Sequence, residues 1–69
     1  MQINLIELRK KFKLTQKDMA NLLGIATKTY NNKENGKVEF LLSEMFSISS
    51  YFNLSVDEIF LPRNTPKRS

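Results

Sequence analysis

Thr27, Lys28, Asn31 and Asn32 lie within one short stretch and offer three kinds of recognition chemistry. An Asn carboxamide can make a bidentate pair with adenine, a Lys ammonium can donate to guanine O6 and N7, and a Thr methyl can pack on the thymine methyl. The bland alternative is that all four are only the solvated face of a small helix. Covalent and acid–base chemistry has little to work with. There is no Cys and no His, so thiolate nucleophiles, thiolate zinc sites, disulfides and imidazole catalysis are absent. No Gly-rich phosphate loop is present, and the scattered carboxylates stand at helix starts, where capping accounts for them. The expectation is no enzyme, no catalytic residue, no metal site and no cofactor.

Residues 15–36 contain the elements that must position those four side chains. Thr15 followed three residues later by Asp18 is a capping-box pattern that opens a helix. Met19, Ala20, Leu22 and Leu23 make its apolar face, and Gly24 suits the left-handed residue that closes it. A second helix starts at about Ala26 or Thr27, with Thr27, Lys28, Asn31 and Asn32 on one side and Ile25, Thr29 and Tyr30 on the other. Ala26 offers no side-chain cap, so either the helix lacks one or Thr27 supplies it and is lost as a base reader. Two helices joined by a tight turn, the second presenting polar groups, is the geometry that places a helix at about 27–35 in the DNA major groove.

The flanks read as three further helices. Asn4 with Glu7 resembles another capping box, with Ile3 placed to staple against Leu8, and Leu5, Leu8 and Phe12 recur at helical spacing over 5–12. Arg9, Lys10, Lys11 and Lys13 gather near that helix's C-terminal end, where cations suit the dipole and can also meet phosphate. Leu41, Leu42, Met45, Ile48, Ser49 and Phe52 fit one face of a helix at about 40–52, ended by Asn53. Ser55 with Glu58 opens a short helix at 56–61 that buries Val56, Ile59 and Phe60, and Pro62 stops it. The expected fold is all-α, a compact five-helix bundle with a helix-turn-helix over residues 1–61. A basic tail at 62–69 is expected to be disordered.

Composition is consistent with this. A chain of 69 residues with 41% hydrophobic and 26% charged residues is an ordinary single globular domain with a small core. Its formal charge of +4, from 11 Lys and Arg against 7 Asp and Glu, favours a polyanionic partner. No apolar run is long enough to span a bilayer and no signal-peptide layout opens the chain, so a cytoplasmic location and no membrane partner are expected.

Thr15-Gln16, Met19-Ala20, Leu23-Gly24-Ile25, Thr29-Tyr30 and Glu34-Asn35-Gly36, followed by Ile48 and by Leu54 through Phe60, resemble the phage repressor and Cro-like (xenobiotic-response-element type) helix-turn-helix family. The resemblance spans roughly residues 4 to 61 and implies a lambda-repressor-like DNA-binding domain. Position by position, it puts base contacts on Thr27, Lys28 and Asn32, leaving Asn31 the least supported of the four. It implies an ion pair between Arg9 and Glu34; the alternative leaves Arg9 free for phosphate. It also implies that Gln16 meets a phosphate and steadies a side chain of the recognition helix; the phosphate contact is supported by the orphan N–H groups at the start of the first helix of the motif, which Gln16 opens. Asn35 and the backbone around Gly36 and Lys37 are expected on a phosphate across the groove. Lys10, Lys13, Lys17 and Lys33 are lesser phosphate contacts. Lys33 stands where the family usually has an apolar residue, so its stem is expected to cover the core while its ammonium snorkels toward the backbone.

The function so implied is a sequence-specific regulator of repressor or Cro type that occupies a double-stranded DNA operator, with no small-molecule substrate. One recognition helix reads few base pairs, so a homodimer on a two-fold operator is expected. Phe40, Phe46, Tyr51 and Leu61 lie off the assigned buried faces and are the expected dimer contacts. The alternatives are an antitoxin-like interaction module that autoregulates through its helix-turn-helix, and the DNA-binding domain of a longer regulator.

Overall fold

The computed structural model describes residues 1–60, which form α1 (Ile3–Lys11), α2 (Gln16–Leu23), α3 (Thr27–Glu34), α4 (Leu42–Phe52) and α5 (Val56–Phe60). The expected five-helix, all-α architecture is what the chain adopts, and among the described residues there is no strand. Leu61 and the tail at 62–69 lie outside the described residues.

Two of the capping boxes form in full. Thr15 Oγ1 accepts the Asp18 N–H at 3.0 Å while the Asp18 carboxylate accepts the Thr15 N–H at 2.8 Å. Ser55 and Glu58 repeat this at 3.1 and 2.8 Å ahead of α5. At the start of α1 the N-cap residue is Gln2 and not the expected Asn4. Helix α1 begins at Ile3, so Asn4 lies inside its first turn and Ile3 is an exposed helical residue rather than a staple. A tertiary contact explains the earlier start. The Gln2 N–H is held at 2.9 Å by the Glu34 carbonyl, and the Gln2 carbonyl then accepts the Ile6 N–H at 3.0 Å.

Helices α1 to α4 all end with a left-handed residue: Lys13 (φ 58°), Gly24 (71°), Gly36 (87°) and Asn53 (59°). After α3 the Gly36 N–H bonds the Lys33 carbonyl at 3.1 Å and the Lys37 N–H bonds the Asn32 carbonyl at 2.9 Å. That is the Schellman pattern, which satisfies carbonyls the helix itself leaves unpaired. Glycine adopts this conformation without a Cβ clash, whereas Lys13 adopts it at a cost.

Helix α4 starts later than the sequence pattern indicates. Leu41 has no side-chain acceptor, but Glu44 reaches back to take the Leu41 N–H at 2.9 Å, which is half of a capping box and sets the first turn at Leu42. Leu41 and Leu42, expected inside, are therefore exposed, and Glu44, Ile48 and Phe52 face inward with Met45 and Ser49 at the margin. The i, i+4, i+8 spacing of the buried set is one helix face.

All five helices meet in one core of Leu5, Met19, Ala20, Tyr30, Phe40, Ile48, Phe52 and Ile59. Each large side chain buried there contributes roughly 1.5–3 kcal/mol. Ala20 is buried on α2, as its small size at a close helix approach anticipates, while Leu22 is partly exposed. Phe40 corrects the expected dimer set. It is only 8% exposed and stands edge-on between Tyr30 at 5.9 Å and Phe60 at 5.3 Å, filling the space left by the later start of α4. Phe46 and Tyr51 are exposed, at 57% and 54%. They lie about 140° apart around α4, so they do not share one face.

The helix ends give a pair of stability changes of opposite sign. Gly36→Ala should lower stability by about 1–2 kcal/mol, because the new Cβ needs the left-handed region and would lie 2.8 Å from the Met1 backbone nitrogen. Lys13→Gly should raise stability, by up to about 1 kcal/mol, since relief of strain exceeds the added freedom of the unfolded chain. Urea unfolding measures both, and equal effects at the two positions would contradict this account.

Candidate nucleic-acid interface

Helix α3 has two sides of opposite character. Tyr30, Lys33 and Glu34 are buried, whereas Thr27, Lys28 and Asn35 are exposed and Asn31 and Asn32 half-buried. At 3.6 residues per turn, positions 27, 28, 31, 32 and 35 make one continuous stripe. Thr29, expected on the inner side, is exposed at its margin. Ala26 is the N-cap residue without a side-chain bond and Thr27 is the first helical residue, so Thr27 does not cap the helix and its side chain stays on the stripe.

The inner side is fixed by Glu34. Its carboxylate accepts Arg9 Nε–H at 2.9 Å and Tyr30 O–H at 2.7 Å on Oε2, and Arg9 Nη2–H at 3.2 Å and Gln16 Nε2–H at 2.9 Å on Oε1. Arg9 Nη1 also donates to the Leu14 carbonyl at 2.9 Å. The expected Arg9–Glu34 pair is thus present, side-on and part-buried, and Arg9 is not a free surface cation. Burial alone would push the Glu34 carboxyl up, but the hydrogen bonds from Arg9, Gln16 and Tyr30 and the guanidinium charge outweigh it and hold it below its ordinary value. The Tyr30 hydroxyl is pushed far up, by burial first and then by its bond to the Glu34 carboxylate, so it stays a neutral donor.

Gln16 links this buried centre to the stripe. Its Oε1 accepts Asn31 Nδ2–H at 3.0 Å, and Asn31 Oδ1 accepts Asn35 Nδ2–H at 3.1 Å. The side chain that Gln16 steadies is therefore Asn31. Lys10, Lys13, Lys17 and Lys37 are exposed, on or beside α1, α2 and the turn after α3.

Lys33 departs from its expected role as a phosphate contact. It is 7% exposed and its ammonium turns inward to Glu44 Oε1 at 2.6 Å, away from any surface anion. The same oxygen takes the Leu41 N–H, so one carboxylate joins the end of α3 to the start of α4. Burial opposes ionisation of Glu44, but its bonds to Lys33 and the Leu41 backbone hold the carboxyl below its ordinary value. Tyr30 and Glu44 were not singled out as site residues from sequence. A Glu three residues after Leu41 was the available signal for the second, and a Tyr one turn before Glu34 for the first. Every buried side-chain nitrogen and oxygen among the described residues has a partner. No helix among them is long and apolar enough to cross a membrane.

A family described as helix-turn-helix matches residues 5–59, which takes in most of α1, all of α2 to α4 and nearly all of α5. The chain belongs to the Cro/C1-type helix-turn-helix family. It is 31% identical over 61 residues to an uncharacterised HTH-type transcriptional regulator of Archaeoglobus fulgidus, covering 88% of this chain and 86% of that one. It also superposes, with a TM-score of 0.83 and 25% identity, on the crystal structure of a transcriptional regulator from Listeria innocua. That match covers 99% of this chain and 64% of the Listeria chain, so this chain spans under two thirds of that protein's length. In this helix-turn-helix, α2 and α3 are the motif, and Arg9 with Glu34 bolts α1 to its second helix.

The two depressed carboxylates set a pH dependence. Glu34 and Glu44 have folded-state values below their unfolded ones, so the unfolded chain takes up protons first as pH falls below about 4.3. Their stabilisation is complete at neutral pH and is lost as pH drops through the folded-state values. Urea midpoints measured from pH 7 to pH 3 should therefore fall. Glu34→Ala should cost about 3–5 kcal/mol at pH 7, because it strands a part-buried guanidinium, and should flatten the acid slope. A stability unchanged between pH 7 and pH 3 would refute the assignment.

Proposed function

We propose that this chain is a sequence-specific regulator that binds double-stranded DNA with α3 in the major groove and acts as a Cro- or repressor-type homodimer on a two-fold operator. The observation that carries this reading is the two-sided α3, with an inner face fastened to the core and an outer stripe of Thr27, Lys28 and Asn32. Thr27, Lys28 and Asn32 read bases; Gln16, Asn35, Lys37, Lys10, Lys13 and Lys17 meet phosphates. Phosphate contacts set register and the helix sets sequence. The Archaeoglobus and Listeria relatives, both named as transcriptional regulators, favour the same role. For the dimer contact, Phe46 is available together with Leu42 one turn before it, both exposed.

Selection of bound sequences from random duplex DNA tests this directly. It should return a two-fold symmetric consensus with half-sites about 34–36 Å apart, one turn of the duplex. Lys28→Ala or Asn32→Ala should then relax one position per half-site at a cost of roughly 1–3 kcal/mol, while Gln16→Ala weakens all sequences evenly. A pool with no consensus would overturn sequence-specific binding, and an asymmetric single half-site would overturn the dimer.

A further inference from the structure

The carboxylate of Glu34 is the first link in a chain of three carboxamides that runs from the buried centre onto the outer stripe of α3. Gln16 Nε2 donates to Glu34 Oε1 at 2.9 Å, Asn31 Nδ2 to Gln16 Oε1 at 3.0 Å, and Asn35 Nδ2 to Asn31 Oδ1 at 3.1 Å. The direction of each bond follows from the first. An ionised carboxylate only accepts, so Gln16 must turn its NH2 toward Glu34 and its carbonyl toward Asn31. That carbonyl also only accepts, so Asn31 must offer its NH2 and leave its own carbonyl to Asn35, whose NH2 turns back in the same way. The orientation of all three amides, ordinarily open to a flip, is thereby settled by a single buried charge.

Two consequences bear on the DNA-facing surface. Both polar atoms of Asn31 are already engaged within the protein, so its amide plane is fixed by Gln16 and Asn35 and is not free to turn to a base edge, as a bidentate adenine pair requires. Gln16 and Asn35 stand at either side of Asn31 in the chain, and each keeps one side-chain N–H beyond the one that the chain uses. Phosphate oxygens accept such donors.

We propose that Asn31 is a positioning residue rather than a base reader: it carries the orientation that Glu34 imposes on Gln16 across to Asn35 and holds both amides in place, each with one donor left for the DNA backbone. This rests on the DNA-binding reading above for its phosphates, while the amide chain itself exists in the free protein. Asn31 thus influences how firmly every sequence is held, and Lys28 and Asn32 influence which one is preferred.

The test has two arms. In the free protein, Asn31→Ala should shift the side-chain NH2 resonances of both Gln16 and Asn35 in a nitrogen–proton correlation spectrum, with the dispersed backbone signals of the folded domain retained. Unmoved amide signals would overturn the chain whatever DNA does. In the second arm, affinities are measured for the selected operator and for each of its single-base variants. Asn31→Ala should lower all of them by one common factor, roughly threefold to tenfold, and should cost less in a Gln16→Ala background than in the parent. A loss confined to one base position would make Asn31 a reader, and equal losses in the two backgrounds would show that it does not act through Gln16. Either result overturns the proposal and leaves DNA binding intact. Failure of the parent protein to bind any selected duplex would bring down the DNA-binding reading and the phosphate role with it, and the resonance arm would still judge the amide chain separately.

Discussion

One carboxylate has to be satisfied four times, and much of the arrangement of α1, α2 and α3 follows from it. Glu34 is almost fully removed from solvent, and an ionised carboxylate there is tolerable only if its lone pairs are occupied. Arg9 from α1 fills two of them, Gln16 from α2 a third and Tyr30 from α3 itself the fourth. Three helices are thus referred to one point. The backbone carbonyl of the same residue holds the Gln2 N–H and so sets where α1 begins. Such a buried pair adds less net stability than its attraction alone implies, because desolvation opposes it. Its larger effect is geometric, since donors from three helices meet at this one carboxylate.

The second buried pair extends this logic to α4. Lys33 and Glu44 join the last turn of α3 to the first turn of α4, where Leu41 cannot cap the helix by itself. The result is that α3 is anchored at its inner face by a tyrosine, a lysine and a glutamate, and its outer face is left with short polar side chains and one exposed lysine. A recognition helix needs this division. Under the proposed reading, its inner contacts hold side chains within hydrogen-bonding tolerance of base edges, and Thr27, Lys28 and Asn32 stay uncommitted while Asn31 and Asn35 are joined to Gln16. Lys33 illustrates the exchange: a cation that charge alone would give to the DNA is used to set the helix.

What was legible in the sequence was local. The Thr15–Asp18 and Ser55–Glu58 boxes, with both partners inside four residues, form as their spacing indicates, and Gly24 turns left-handed where α2 ends. Asn4 carries an equally good local signal and fails, because Gln2 is tethered to Glu34 at the far end of α3, and no window of neighbouring residues contains that contact. The Arg9–Glu34 pair came from a family resemblance and not from any pattern that these two residues make by themselves. Phe40 and Leu41 show the same limit in hydrophobic periodicity. Helix α4 starts two residues later than periodicity suggests: Glu44 takes the Leu41 N–H, Phe40 packs between Tyr30 and Phe60, and Leu41 and Leu42 are exposed. The face of Thr27, Lys28, Asn31 and Asn32 was visible from sequence as a set of side chains, but its continuation to Asn35 and the division between those joined to the core and those free of it were not.

The Glu34 charge organises the surface on the other side of α3 through Gln16 and Asn31. A pH titration of the free protein that follows the Glu34 carboxyl carbon together with the side-chain amides of Gln16 and Asn31 tests it most directly. The expected result is a carboxyl that titrates below the ordinary glutamate value of about 4.3, with both amides shifting at the same midpoint as the chain loses its acceptor. A Glu34 that titrates at or above the ordinary value, or amides that do not follow it, would contradict the account.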